Sequence, residues 1–169
     1  MGDITQDYLK QLLAYDPGTG VFVRKTTRAS NAQLGDVAGW VNERRYRLIK
    51  IDNITHRVHR LAWLYVYGKF PTNEIDHINH DRSDNRIANL REATSHENSL
   101  NKELQARNTS GVNGVTWRKM EKKWCAQIGV NGETLHLGRF INFDDAVVAR
   151  KAADKKYGYH ENHGKALVA

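Results

Sequence analysis

Residues 72–100 are dense in Asp, Asn and His, yet Ile75, Ile78, Ile87 and Leu90 punctuate them at intervals. That composition does not describe a regular amphipathic helix or a continuous strand. It describes a polar site held on a small apolar frame, and the rest of the chain is read around it. Thr94 and Glu97 form a capping box, which predicts a helix beginning near Ser95.

Upstream, residues 5–14 predict a short helix with Leu9, Leu12 and Leu13 on one face. Asp16-Pro17-Gly18-Thr19-Gly20 is a turn, and residues 20–25, 36–41 and 46–51 predict short strands. The apolar run 58–67 reads as a buried helix ending at Gly68, with Pro71 preventing continuation. Residues 101–110 are polar and poorly periodic, so a linker is expected there.

The C-terminal part predicts three strands, over 114–120, 124–130 and 134–140. The second turn is Asn131-Gly132, the strongest short hairpin signal. A helix over 143–157 follows, with Asn142 as its expected cap, Asp144 and Asp145 in its first turn and Lys155 and Lys156 in its last.

Charge narrows the partner. The 169 residues carry a formal net charge of +7, and residues 108–169 supply +4 of it. Such an excess favours a polyanion, because neutralised phosphates release counterions. There is no apolar run long enough to span a bilayer, and the first residues lack a signal-peptide core, so no membrane partner and a cytoplasmic location are expected. The single cysteine, Cys125, excludes an internal disulfide and a cysteine-rich zinc finger.

Phosphodiester hydrolysis needs a base to deprotonate water, for which histidine is suited. It also needs a hard cation to neutralise charge growing on the phosphate and leaving oxygen, and such ions prefer oxygen donors. Asp76 and His77 are adjacent, and Asn98 falls in the first turn of the following helix. Plainer readings exist for the same residues. Asp76, Asn85 and Asn89 can form turns, which is the favoured reading for Asn85. His80 and His96 can join His77 around zinc, although the spacing suits no common template. His59 reads as structural, and Arg82, Arg86 and Arg91 as phosphate contacts or solvated charge.

The pattern DH-x11-N-x8-N, set in IDHINHDRSDNRIANLREATSHEN and preceded by YDPGTG, VHRLAW and YGKFP, resembles the HNH endonucleases of phages and mobile introns. The resemblance covers roughly residues 8–100. It implies a ββα-metal fold, with Asp76 a metal ligand, His77 the general base and Asn89 a brace for the loop. Asn98 stands where many members carry a final His, and where the phage intron branch carries Asn as the second ligand. The implied cofactor is one divalent cation, Mg2+ or Mn2+.

The stretch 114–158 resembles the AP2 DNA-binding domain through its GV, KW-A-I and LG-F skeleton. That likeness implies a sheet laid in the major groove. Strand alternation puts Val115, Trp117, Trp124, Ala126, Ile128, Leu135 and Leu137 toward the helix. The opposite face then carries Thr116, Arg118, Gln127, Thr134, His136 and Arg139, with Lys119, Lys122 and Lys123 near the turn for phosphate contacts. Some family arginines are absent, at the strand positions held by Thr116 and Gly129, so sequence preference is not inherited.

The expected fold class is therefore α+β. An N-terminal β-rich segment (1–56) precedes an HNH core (57–100), a linker (101–110) and an AP2-like domain (111–169). The expected function is metal-dependent hydrolysis of double-stranded DNA by a monomer, of the homing type in phages. The alternatives are a non-catalytic DNA-binding protein on a vestigial HNH scaffold, and a zinc-stabilised interaction module.

Overall fold

The computed structural model describes residues 4–27, 32–102, 104 and 106–165. It is a mixed α+β protein of several small sheets and, among the described residues, four α-helices. Two compact units divide it, Met1–Asn98 and Ser99–Ala169.

In the first unit, α1 (Gln6–Leu12) starts at Thr5, whose hydroxyl accepts from the Tyr8 amide. The helix stops two residues earlier than its leucine spacing predicts. Leu13–Asp16 instead forms β1, paired antiparallel with β2 (Val21–Arg24). Leu13 and Tyr15 are the buried alternate residues of that strand, so pairing with β2 overrides the helical period. The turn between the strands is closed by Asp16, which accepts from Gly18 N and Thr19 Oγ1, and by Gly20 at φ 73°.

β3 (Trp40–Val41), β4 (Arg47–Ile51) and β5 (Ile54–Arg57) make a three-stranded sheet in that order. The predicted strand over 36–41 is mostly loop, touching β2 only at the Val23–Val37 bridge. β5 was not expected. Its hairpin turn, Asp52-Asn53, has both residues left-handed, at φ 48° and 66°, as a tight two-residue hairpin demands. α2 (Val58–Tyr67) ends at left-handed Gly68, whose amide returns to Leu64 O, in keeping with the stop signal read there.

β6 (Glu74–His77) and β7 (Leu90–Ala93) then pair antiparallel, and α3 (Ser95–Ser99) follows. One core joins α1, β1, β2, β4, α2, β6 and β7: Leu9, Leu13, Phe22, Ile49, Leu61, Ile75 and Leu90 belong to a single buried cluster. The β-rich segment and the polar hairpin are thus packed as one body. Ile75 and Leu90 are the apolar frame that seats the polar stretch on this core.

The second unit contains β8 (Val115–Arg118), β9 (Lys123–Val130), β10 (Glu133–Phe140) and α4 (Phe143–Lys156), with β9 central. Asn131 and Gly132 make the β9–β10 turn, both left-handed. Val115, Ala126 and Ala146 form its buried centre. Arg150 of α4 is also buried, donating to Gln127 O at 2.6 Å and pairing with Asp154. Gly114 permits this, because a Cβ there would lie 2.2 Å from both Arg150 Nη1 and Gln127 O. Asn142 precedes α4 as expected but makes no cap bond; its amide donates to Asp145 instead. Trp117 and Leu135, expected against the helix, are 44% and 42% exposed, because the one short helix covers little beyond the sheet's centre. The expected linker is hydrogen-bonded to the chain's end: Leu104 N donates to Lys165 O, and Lys102 O accepts from Gly164 N.

Candidate active site on the polar hairpin

The β6–β7 register sets Asp76 opposite Arg91 and His77 opposite Leu90. Asp76 and His77 are both buried, at 7% and 5% exposure. Asp76 Oδ2 accepts from Arg91 Nε at 3.0 Å and Nη2 at 2.8 Å, so the carboxylate enters the site already oriented. Glu74 lies two residues before Asp76 on the strand and so projects from the same face. Helix α3 is tied to that face: Ser95 Oγ and Asn98 Nδ2 donate to Glu74, the latter at 2.6 Å. The capping box is formed, with Thr94 N and Oγ1 donating to Glu97 Oε2.

The donors offered to a metal on this face are hard oxygens. Asn98 gives its amide hydrogens to Glu74, which leaves its carbonyl oxygen for another partner. A carboxylate and an amide oxygen suit a hard divalent cation that keeps several waters. Among the described residues, no three His, Cys, Asp or Glu side chains come together in a metal-holding group.

The loop between the strands is pinned by Asn89. Its Oδ1 accepts from Asn79 N at 3.0 Å and its Nδ2 donates to Asp84 O at 2.9 Å, while its own carbonyl accepts from Ile78 N. One side chain thus spans both ends of the loop that follows His77. Asn85, read from sequence as a turn former, is in fact 1% exposed and faces the site. Its backbone carbonyl accepts from Tyr15 Oη at 2.6 Å, its side-chain amide donates to Ser83 O at 2.8 Å, and its buried Oδ1 has no hydrogen-bond partner among the described residues. His80 is a left-handed loop residue and His96 is exposed on α3.

His77 sits among rings. His59 meets it edge-on at 5.0 Å, and Tyr46 lies 6.2 Å away. Burial lowers the His77 pKa; the adjacent Asn85 side chain and the nearby Asp76, Asp84 and Asp81 carboxylates pull the other way. The imidazole is therefore neutral at neutral pH, the form that can accept a proton. His59 is pushed down to about 3 by burial first, then by His77 and by Arg57 and Arg60. Its Nδ1 is buried with no hydrogen-bond partner. Tyr46, His59 and Asn85 are the site neighbours that sequence reading missed. Only the contacts of the folded chain bring them to His77, and no spacing signal marks them.

A pH dependence follows from His59. The unfolded chain takes up a proton near pH 6.5, whereas the native state resists protonation until about 3. Stability is complete above pH 6.5 and falls as pH drops below it. Between pH 7.5 and 5 the loss is about 2 kcal/mol. Hydrogen exchange of β4 and α2 amides at both pH values measures it, and His59→Leu flattens the dependence.

In the second unit, register places Thr116, Arg118, Lys123, Gln127, Thr134, His136 and Arg139 on one face of the sheet, opposite the helix-facing row. Lys119 and Lys122 stand in the β8–β9 turn. Arg139 is paired with Glu121 at 2.9 Å, so part of that face's charge is offset internally. Cys125 lies on this same face, in register with Thr116 and Arg139, and is buried there with its Sγ 3.5 Å from His136 Nδ1.

The hairpin, its pinned loop and the flanking α2 and α3 all lie within residues 56–100. Residues 56–100 match the HNH endonuclease family model. This HNH segment contains Asp76, His77, Asn89 and Asn98, but neither Tyr46 nor the second unit. The chain is also 33% identical over 78 residues to Protein 3.8 of Escherichia phage T7, a match covering 46% of this chain and 64% of that protein. The match thus spans just under two thirds of that relative. No solved structure matches the chain significantly. No helix among the described residues is long and apolar enough to cross a membrane.

Proposed function

We propose that the chain is a metal-dependent HNH endonuclease that hydrolyses DNA phosphodiester bonds. The observation that carries this reading is the buried, neutral His77 beside Asp76, at the end of a hairpin whose loop is pinned at both ends by Asn89. His77 takes the proton from the attacking water, with the His59 and Tyr46 rings packed around the imidazole. Asn89 keeps the loop, and with it the base, in place. Asp76 and Asn98 are the residues that would hold Mg2+ or Mn2+, which when bound supplies positive charge to the phosphate and the leaving oxygen.

The second unit acts as an AP2-like DNA-binding module. Thr116, Arg118, Gln127, Thr134, His136 and Arg139 face the bases, and Lys119, Lys122 and Lys123 the backbone. Tethering it to the nuclease raises overall affinity by effective concentration. One motif per chain gives one active site, so a monomer nicks one strand. The enzyme works in the host cytoplasm in a homing-type role, and the relative is a phage protein.

Supercoiled plasmid incubated with the protein is converted to the nicked circle in Mg2+ or Mn2+, and not when a chelator is present. Unchanged DNA binding with no nicking under any divalent ion would overturn the reading. It would favour a vestigial HNH scaffold, for which the double Arg91 grip on Asp76 is the one supporting contact.

A further inference from the structure

Five arginines stand on or around the proposed active site, and the fold treats them differently. Arg91 is bound to Asp76, Arg86 to Asp84 at 2.6 Å, and Arg45 to Asp81 at 3.6 Å. Arg57 and Arg82 have no carboxylate partner among the described residues, and both are exposed. Each rests on the same ring: the guanidinium carbons lie 5.0 and 5.3 Å from the centroid of Tyr46. That ring lies 6.2 Å from His77 and 5.5 Å from His59.

Tyr46 is a fixed platform. It ends the tight β3–β4 turn, in which Asn42 Oδ1 accepts from Arg44 N and Tyr46 N, and Asn42 N donates to Tyr46 O. Arg45 takes the left-handed conformation that the turn needs. Three separate segments therefore converge beside His77: this turn, the β5–α2 junction carrying Arg57, and the loop carrying Arg82. Stacking on an aromatic face orders a guanidinium without neutralising it. Two ordered, uncompensated cations on a ring that neighbours a neutral base make a site for an anion. The planar fork of donors on each matches the two non-bridging oxygens of a phosphodiester.

We propose that Arg57 and Arg82, held on Tyr46, form the clamp that binds the phosphate under attack in the DNA strand. This rests on the endonuclease reading above. The clamp positions the phosphorus for water activated at His77 and opposes charge as it builds on the non-bridging oxygens. It also gives Arg82 a role distinct from its neighbour Arg86, whose charge is spent on Asp84.

The test uses the full chain with Arg57→Gln, Arg82→Gln, the double glutamine variant and the double lysine variant, each checked by thermal melting. Binding to a duplex is measured across a salt series, and nicking is measured in single turnover at saturating protein. Each glutamine substitution lowers the slope of log affinity against log salt by about 0.9. The double variant nicks about 100-fold more slowly at saturation. Lysines restore the slope, because they return the charge, but not the full rate, because they lack the fork. An unchanged slope overturns the clamp whether or not the wild type cleaves. A reduced slope with an unchanged saturating rate places the arginines on a distant phosphate and also overturns it. Reduced slopes in a wild type that never nicks leave the anion site standing and defeat the endonuclease reading instead.

Discussion

His77→Ala lowers nicking by about 10²- to 10⁴-fold at saturating protein, the usual worth of a positioned general base. The size follows from the surroundings of the ring. His77 is buried, its pKa is lowered chiefly by that burial, and the His59 and Tyr46 rings pack around it. Water alone cannot replace a base so placed. DNA affinity stays within about threefold, because the imidazole is not a phosphate-neutralising cation. Added imidazole partly restores the rate by filling the space left by the ring, whereas a variant that had merely unfolded would not respond. Nicking within tenfold of wild type would remove His77 from the mechanism.

Gly20→Ala is expected to damage both the first unit and its activity, although Gly20 lies far from the hairpin in sequence. Its φ of 73° is left-handed, which costs a non-glycine residue about 1–2 kcal/mol. Worse, a Cβ there would lie 2.4 Å from Arg86 N and from Asn85 C. These are backbone atoms of the site loop, so no side chain can rotate away. Overpacking of this kind adds about 1–3 kcal/mol. If the loop yields, Asn85 and the loop behind His77 move; a displacement of about 1 Å in such a constellation costs on the order of 100-fold in rate. Hydrogen exchange of β1, β2 and β6 amides, together with the plasmid assay, checks both effects. Wild-type protection and rate would show that the β1–β2 turn does not support the site.

The two predictions mark how far the linear chain could be read. The hairpin chemistry was legible because it is local. Asp76 and His77 are neighbours, Thr94 and Glu97 cap each other across one turn, and Asn131-Gly132 makes a hairpin whatever surrounds it. The stop of α2 at Gly68 was legible for the same reason. Elements decided by distant partners were not. Leu13 and Ala14 continue the helical pattern of residues 5–14 and became strand because β2 was available to pair with them. β5 is so polar that its sequence does not announce a strand, yet β4 pairs with it along its length.

The same division runs through the site. The residue types that can activate water and hold a hard cation, and their order along the polymer, are properties of the sequence, since they depend on side-chain chemistry alone. Which arginines keep their charge free, which ring they lie on, and how a turn near residue 20 and a tyrosine at 46 reach an imidazole at 77 were settled only by folding. Such contacts depend on the packing of one shared core across residues 9–90, and packing is a three-dimensional condition that spacing along the chain does not encode.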